Sequence, residues 1–180
     1  KMFLTQGYEK TTVESMINTM GVSKGMFYHY YKSKEEVLED VLDGLAEMIT
    51  KDTVAIMTNE NKNAKEKMID IYTYKKEIIR KVGTENLSNH SFWMSFYSKI
   101  IRKSLNIIKP HLKNVILEGI REGHFHVRHP KTTILMFTAL FIAAGNLAEE
   151  YAELLEGDVE ESLEAGMEII GKLLGCDFSE

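Results

Sequence analysis

TTVESMINTMGVSKGMFYHYYKSK, residues 11–34, is the stretch that decides the fold. Val13, Met16, Ile17 and Met20 recur at helical spacing and stop at Gly21. Thr11 with Glu14 three residues on reads as a capping box opening that helix. Gly21 permits the left-handed turn that closes a helix tightly, and Ser23 can cap the next. The second helix is expected from about Ser23 to Tyr31, with Phe27 and Tyr31 facing inward. Lys24, Gly25, Tyr28 and His29 are then left on an outward face. Two short helices meeting through a four-residue turn, Met20-Gly21-Val22-Ser23, make a helix-turn-helix.

That outward face has chemistry suited to a DNA groove. Lysine neutralises phosphate or donates to guanine edges, glycine lets the backbone approach, and Tyr28 and His29 can reach phosphate or thymine methyls. Lys34 opens the next helix, where free N–H groups favour phosphate. Charge is distributed to match. The chain carries −5 overall, yet residues 1–34 hold five lysines against two glutamates, a net +3, leaving −8 on the rest. A helical hairpin with incidental polar residues remains the plain alternative on spacing alone.

Outward from this stretch the chain reads as all-α. Ser33 to Glu36 forms another capping box, opening a long helix striped by Val37, Leu38, Val41, Leu42, Leu45, Met48 and Ile49. Residues 59–63 read as a polar linker, followed by a helix from about Ala64 to Val82. Another helix starts near Ser91, and Pro110 is expected to open or kink a new segment ending at Gly119 or Gly123. His124 to His129 reads as a loop, Lys131 to Leu155 as a long helix behind Pro130, and Val159 to Leu174 as the last helix. The expected division is residues 1–50 and 51–180, with the border inside the helix that starts at Ser33. The one cysteine, Cys176, cannot form an internal disulfide, and no apolar run approaches the ~18 residues of a spanning helix. Both features suit a cytoplasmic protein. The opening Lys1-Met2-Phe3-Leu4 reads as a helix entered midway, so upstream residues are expected to be absent from this numbering.

Gly7-Tyr8, Thr11-Thr12, Gly21-Val22-Ser23-Lys24-Gly25, Phe27-Tyr28-His29-Tyr30-Tyr31 and Lys32-Ser33-Lys34-Glu35 together resemble the DNA-binding region of the tetracycline-repressor (TetR) family. Order and gaps match over about fifty residues, a specific multi-part likeness. The resemblance implies that Thr12, Ser23, Lys24, Gly25, Tyr28, His29, Tyr30 and Lys34 meet DNA. The chain departs from the family at His29-Tyr30-Tyr31, where tyrosine, histidine and phenylalanine are frequent. The resemblance also implies about nine helices, a pocket among the middle ones and a dimer through the last two. Its function would be that of a ligand-responsive repressor, released from a palindromic operator by a small effector.

Beyond the first fifty residues the reading rests on residue types. Tyr72, Trp93, Phe96 and Tyr97 are amphipathic aromatics that can line a pocket, and Asn146 is a polar handle in an apolar helix. An apolar or aromatic effector follows, against the plainer reading that these residues are core. Phe141, Gly145 and Ala148 form a small-residue face that could pair with the stripe Leu163, Met167, Ile170 and Leu174 across a two-fold axis. The expected partners are therefore an operator duplex, a small effector and a second copy, with no membrane. The three histidines of His124 to His129 tempt a metal reading, but Arg128 lies among them without a local cysteine or carboxylate, so no metal is expected. No cofactor and no enzyme are expected either, because no nucleophile elbow, phosphate loop, paired-cysteine or zinc-helix motif occurs. The competing reading is a helical ligand carrier or enzyme that never touches DNA, for which the outward face of residues 24–29 would be pointless.

Overall fold

The computed structural model describes residues 2–83, 90–147 and 159–178, all of whose regular elements are α-helices. In chain order these are α1 (Met2–Thr5), α2 (Val13–Met20), α3 (Lys24–Tyr30), α4 (Lys34–Met57), α5 (Ala64–Gly83), α6 (His90–Glu122), α7 (Pro130–Leu147) and α8 (Val159–Leu174). The continuation expected for α7, toward Leu155, lies outside the described residues.

Three apolar clusters run through the molecule. Phe3, Met16 and Phe27 centre the N-terminal head, with Val13, Ile17, Val22, Tyr31 and Leu38 packed around them. Leu42, Ala46 and Ile100 form the second cluster, which Leu38 also joins. Leu38 therefore ties the head to the body along one face of α4. The third and largest cluster holds Met57, Met68, Leu112, Val115, Ile116, Phe125, Phe137 and Leu174 from α4 to α8. Burial of such side chains is the main stabilising term for each cluster, on the order of 1.5–3 kcal/mol for each large one.

Three helix starts show how local chemistry sets the boundaries. Thr12, not Thr11, caps α2, and its partner is Ser15 rather than Glu14: the Ser15 N–H donates to Thr12 Oγ1 at 3.1 Å and the Thr12 N–H to Ser15 Oγ at 3.0 Å. Thr11 is buried, and its hydroxyl is taken up by the Gly7 carbonyl at 2.7 Å. At α4, Ser33 accepts the Glu36 N–H, but the Glu36 carboxylate reaches past Ser33 to the Lys32 N–H at 2.7 Å. At α5, Asn63 and Glu66 exchange both bonds of a capping box, at 3.0 and 2.8 Å.

No new helix opens at Pro110. α6 runs unbroken for 33 residues with Pro110 inside it. Pro110 and Asn106, whose carbonyl loses its donor, both face solvent, while Ile108 and Leu112 anchor the helix in the core on either side. The expected loop at His124–His129 is also partly core. Phe125 is 2% exposed and lies directly over Gly119, where any side chain would overlap its ring. The His124 and Phe125 N–H groups both donate to the Gly119 carbonyl, and the His126 N–H donates to Leu174 at 2.9 Å, fastening this turn to the end of α8.

Candidate nucleic-acid interface

α3 is a seven-residue helix with one buried side chain. Phe27 is 2% exposed and meets Tyr31 at 5.9 Å between ring centroids. Gly21 sits at φ +66° and closes α2, and the Ser23 hydroxyl accepts the Met26 N–H at 3.1 Å to start α3. With Phe27 fixed inward, Lys24, Gly25, Tyr28, His29 and Tyr30 are all left exposed. Tyr30 is the extreme, at 71%. A Cβ added at Gly25 would approach nothing nearer than Ser23 Oγ at 4.0 Å, so space for a close partner exists there. Ser23 and Thr12 are exposed as well, but each hydroxyl already serves as a helix cap.

Lys34 is placed differently from its neighbours. Its ammonium donates to the Tyr8 carbonyl at 2.9 Å and sits 3.8 Å from the centre of the Tyr8 ring. The Tyr8 hydroxyl donates to Glu35 Oε1 at 2.5 Å. Burial, followed by that bond and the carboxylate's charge, pushes the Tyr8 phenol up to about 12. The hydrogen bonds from Tyr8 and Ser33 hold the Glu35 carboxyl down at about 2. Tyr31 donates to Asp40 at 2.7 Å, and that bond raises its phenol too. Residues 8, 31, 34, 35 and 40 thus lock the turn before α2 and the end of α3 onto α4. Sequence spacing gave no signal for the Tyr8 contacts, since the partners are 26 and 27 residues apart.

The head meets the body where α4 crosses α6. Lys99 Nζ lies 2.8 Å from Glu39, Lys103 pairs with Asp43, and Thr50 Oγ1 lies 2.6 Å from Ser104 Oγ. Glu39, Leu42, Asp43, Lys99, Ile100 and Lys103 line a small cleft of about 160 Å³ between the two helices. None of the expected effector residues lines it. Tyr72 is half-buried on α5, and the side chains of Trp93, Phe96, Tyr97 and Asn146 lie outside those described. Ser98 on α6, overlooked in the sequence, is fully buried, and its hydroxyl has no partner among the described residues.

The expected dimer residues divide. Leu174 is 0% exposed in the chain's own core, so it is closed to a partner. Ile170 also packs against that core, and Leu163 and Met167 are half-buried. Phe141 and Gly145 belong to α7, with side chains outside those described, and Ala148 lies outside the described residues. Among the described side chains of α7 and α8, the large exposed apolar ones are instead Leu135 (62%), Met136 and Leu140 on α7, and Ile169 (55%) on α8. Among the described residues no three His, Cys, Asp or Glu side chains gather as a metal site, and no helix is long and apolar enough to cross a membrane.

Known proteins converge on the same reading. The family profile "Bacterial regulatory proteins, tetR family" matches residues 1–41. The HTH-type transcriptional regulator YhgD of Bacillus subtilis is 24% identical over 148 residues, 79% of this chain and 76% of that protein. The HTH-type transcriptional repressor KstR2 of Mycolicibacterium smegmatis is 42% identical over 41 residues, 23% of this chain and 20% of that protein. A TetR/AcrR-family regulator from Thermobifida fusca superposes with a TM-score of 0.60 at 18% identity, covering 91% of this chain and 87% of its own, and so shares the fold. Head geometry and family profile agree: residues 1–41 form a helix-turn-helix head of the kind that defines the tetR family of bacterial regulatory proteins, and the chain as a whole shares the fold of a TetR/AcrR-family regulator.

Proposed function

We propose that this protein is a repressor that binds a palindromic operator as a homodimer and leaves it when a small apolar or aromatic effector binds the body. The observation that carries the reading is α3 itself: one buried anchor, Phe27, presents Lys24, Gly25, Tyr28, His29 and Tyr30 to solvent. In a two-fold dimer, two such helices enter successive major grooves, about 34–36 Å or a small multiple apart. Thr12 and Ser23 add backbone-side contacts. Lys34 serves phosphate only by leaving Tyr8, so its contribution is the net of an exchange.

The second copy docks on the exposed apolar side chains of α7 and α8, centred on Leu135, Leu140 and Ile169. The effector enters among α5, α6 and α7, where Tyr72, Trp93, Phe96, Tyr97 and Asn146 supply aromatic walls and a polar handle, with the Ser98 hydroxyl, which has no partner among the described residues, as a further donor. Effector binding acts by favouring one tilt of α4, the helix that carries the head. The setting is the cytoplasm, with the operator.

Selection from a random duplex library at low salt tests the DNA reading. Enrichment of a palindrome is expected; recovery of no sequence above background would contradict it. Quenching of Trp93, the only tryptophan, by an apolar aromatic compound that also lowers operator affinity tests the effector reading.

A further inference from the structure

Met26 belongs to the exposed side of α3, although its chemistry is unlike that of its neighbours. It is 53% exposed, while Phe27 beside it is 2% exposed. Successive helical residues turn by about 100°, which sets Met26 about 60° from His29 and, like Gly25, away from the Phe27–Tyr31 side. The Ser23 cap fixes its backbone in the first turn of α3. An unbranched apolar side chain therefore projects on the same side of α3 as the exposed His29 and Tyr30.

We propose that Met26 is a specificity-determining residue that reads the C5-methyl group of thymine in the major groove; this rests on the DNA-binding reading above. Among the four base pairs, the thymine methyl is the apolar feature displayed on the floor of that groove. A methionine suits it. The thioether chain is long, flexible and polarisable, so it can settle against a methyl without demanding one geometry. Gly25 next to it has open space where a Cβ would stand, so the helix backbone can come close enough for a four-atom side chain to touch the base edge. A protein partner is a poorer occupant, since a single apolar side chain flanked by His29 and Tyr30 is far smaller than a docking patch.

The test uses the full chain and a duplex selected by the wild-type protein from a random library. Each thymine is replaced in turn by deoxyuridine, which removes only the methyl. At one thymine in each half-site, wild-type affinity is expected to fall about fourfold per methyl, the worth of one buried methyl group. Met26→Ala and Met26→Gln are expected to bind the thymine and deoxyuridine duplexes equally, with the salt dependence of binding unchanged. A merely structural Met26 would weaken both duplexes alike and leave the discrimination intact. The proposal is overturned if wild type enriches a sequence but no deoxyuridine weakens it, or if both variants keep the wild-type discrimination. If wild type enriches no sequence, the DNA reading itself fails, an outcome separate from either of these.

Discussion

Phe27 and Gly25 stand two residues apart on α3 and have opposite tasks. Phe27 holds the helix to the head, and Gly25 leaves its surface low. Phe27→Ala should destabilise the head by about 3–5 kcal/mol, read by thermal or denaturant unfolding, because a filled core site becomes a cavity. Gly25→Leu should leave unfolding unchanged or slightly later, since the site is open and leucine is a better helix former. The Tyr8–Glu35 bond adds a pH dependence. Glu35 is held at about 2 against an ordinary value of 4.5, so its stabilisation is complete above 4.5 and fades as pH falls toward 2. Tyr8→Phe should remove that part of the acid sensitivity, checked by unfolding curves between pH 5 and about 2. At this scale the sequence was legible where bonds are local: Gly21, Ser23 and Phe27 stand as their neighbours imply. It was not legible at Thr11 and Thr12. Either hydroxyl could cap α2, and the choice falls to a longer-range partner, the Gly7 carbonyl that engages Thr11. The hold of Tyr8 on Lys34 was hidden for the same reason, as Tyr8 is far away in the chain.

Among the elements, α4 carries the most. Its first turns close the head, and its middle is held against α6 by Glu39–Lys99, Asp43–Lys103 and the Thr50–Ser104 contact. Both ion pairs are largely exposed, and such pairs add about 0–1 kcal/mol to stability. Their orientation of α4 matters more. Asp43→Lys should change operator affinity or its response to effector with little effect on unfolding, and Asp43→Lys with Lys103→Asp should restore it, as measured by DNA titration. The α5–α6 pair is a contrasting case. Lys67 is 4% exposed and its ammonium lies 2.6 Å from Glu118. Glu118→Leu strands that charge and should cost about 3–5 kcal/mol by denaturant unfolding, with Lys67→Met in the same chain recovering most of it. Helix periodicity gave α5 and the start of α8 nearly to the residue. It failed at Pro110, because a proline on the solvent side of a well-anchored helix deprives only one exposed carbonyl of its donor.

At the scale of the molecule, one basic head rides on an acidic body, and a single head offers only one reading helix. The stripe Leu163, Met167, Ile170 and Leu174 is a true apolar face, but periodicity cannot say whether a face meets its own chain or another. Leu174 and Ile170 meet their own chain. A partner is therefore expected on Leu135, Leu140 and Ile169: Leu135→Glu with Ile169→Glu should give a folded monomer by sedimentation and lose operator binding, whereas Leu174→Glu should unfold the chain. The most direct test of the central claim compares wild type with Gly25→Leu, titrated over a range of salt against the duplex that wild type selects. Wild-type affinity should fall steeply and linearly with the logarithm of salt, as released counterions require, and Gly25→Leu should fold normally yet lose preference for that duplex over random DNA. A folded Gly25→Leu that binds the selected duplex as well as wild type would contradict the claim that α3 reads DNA.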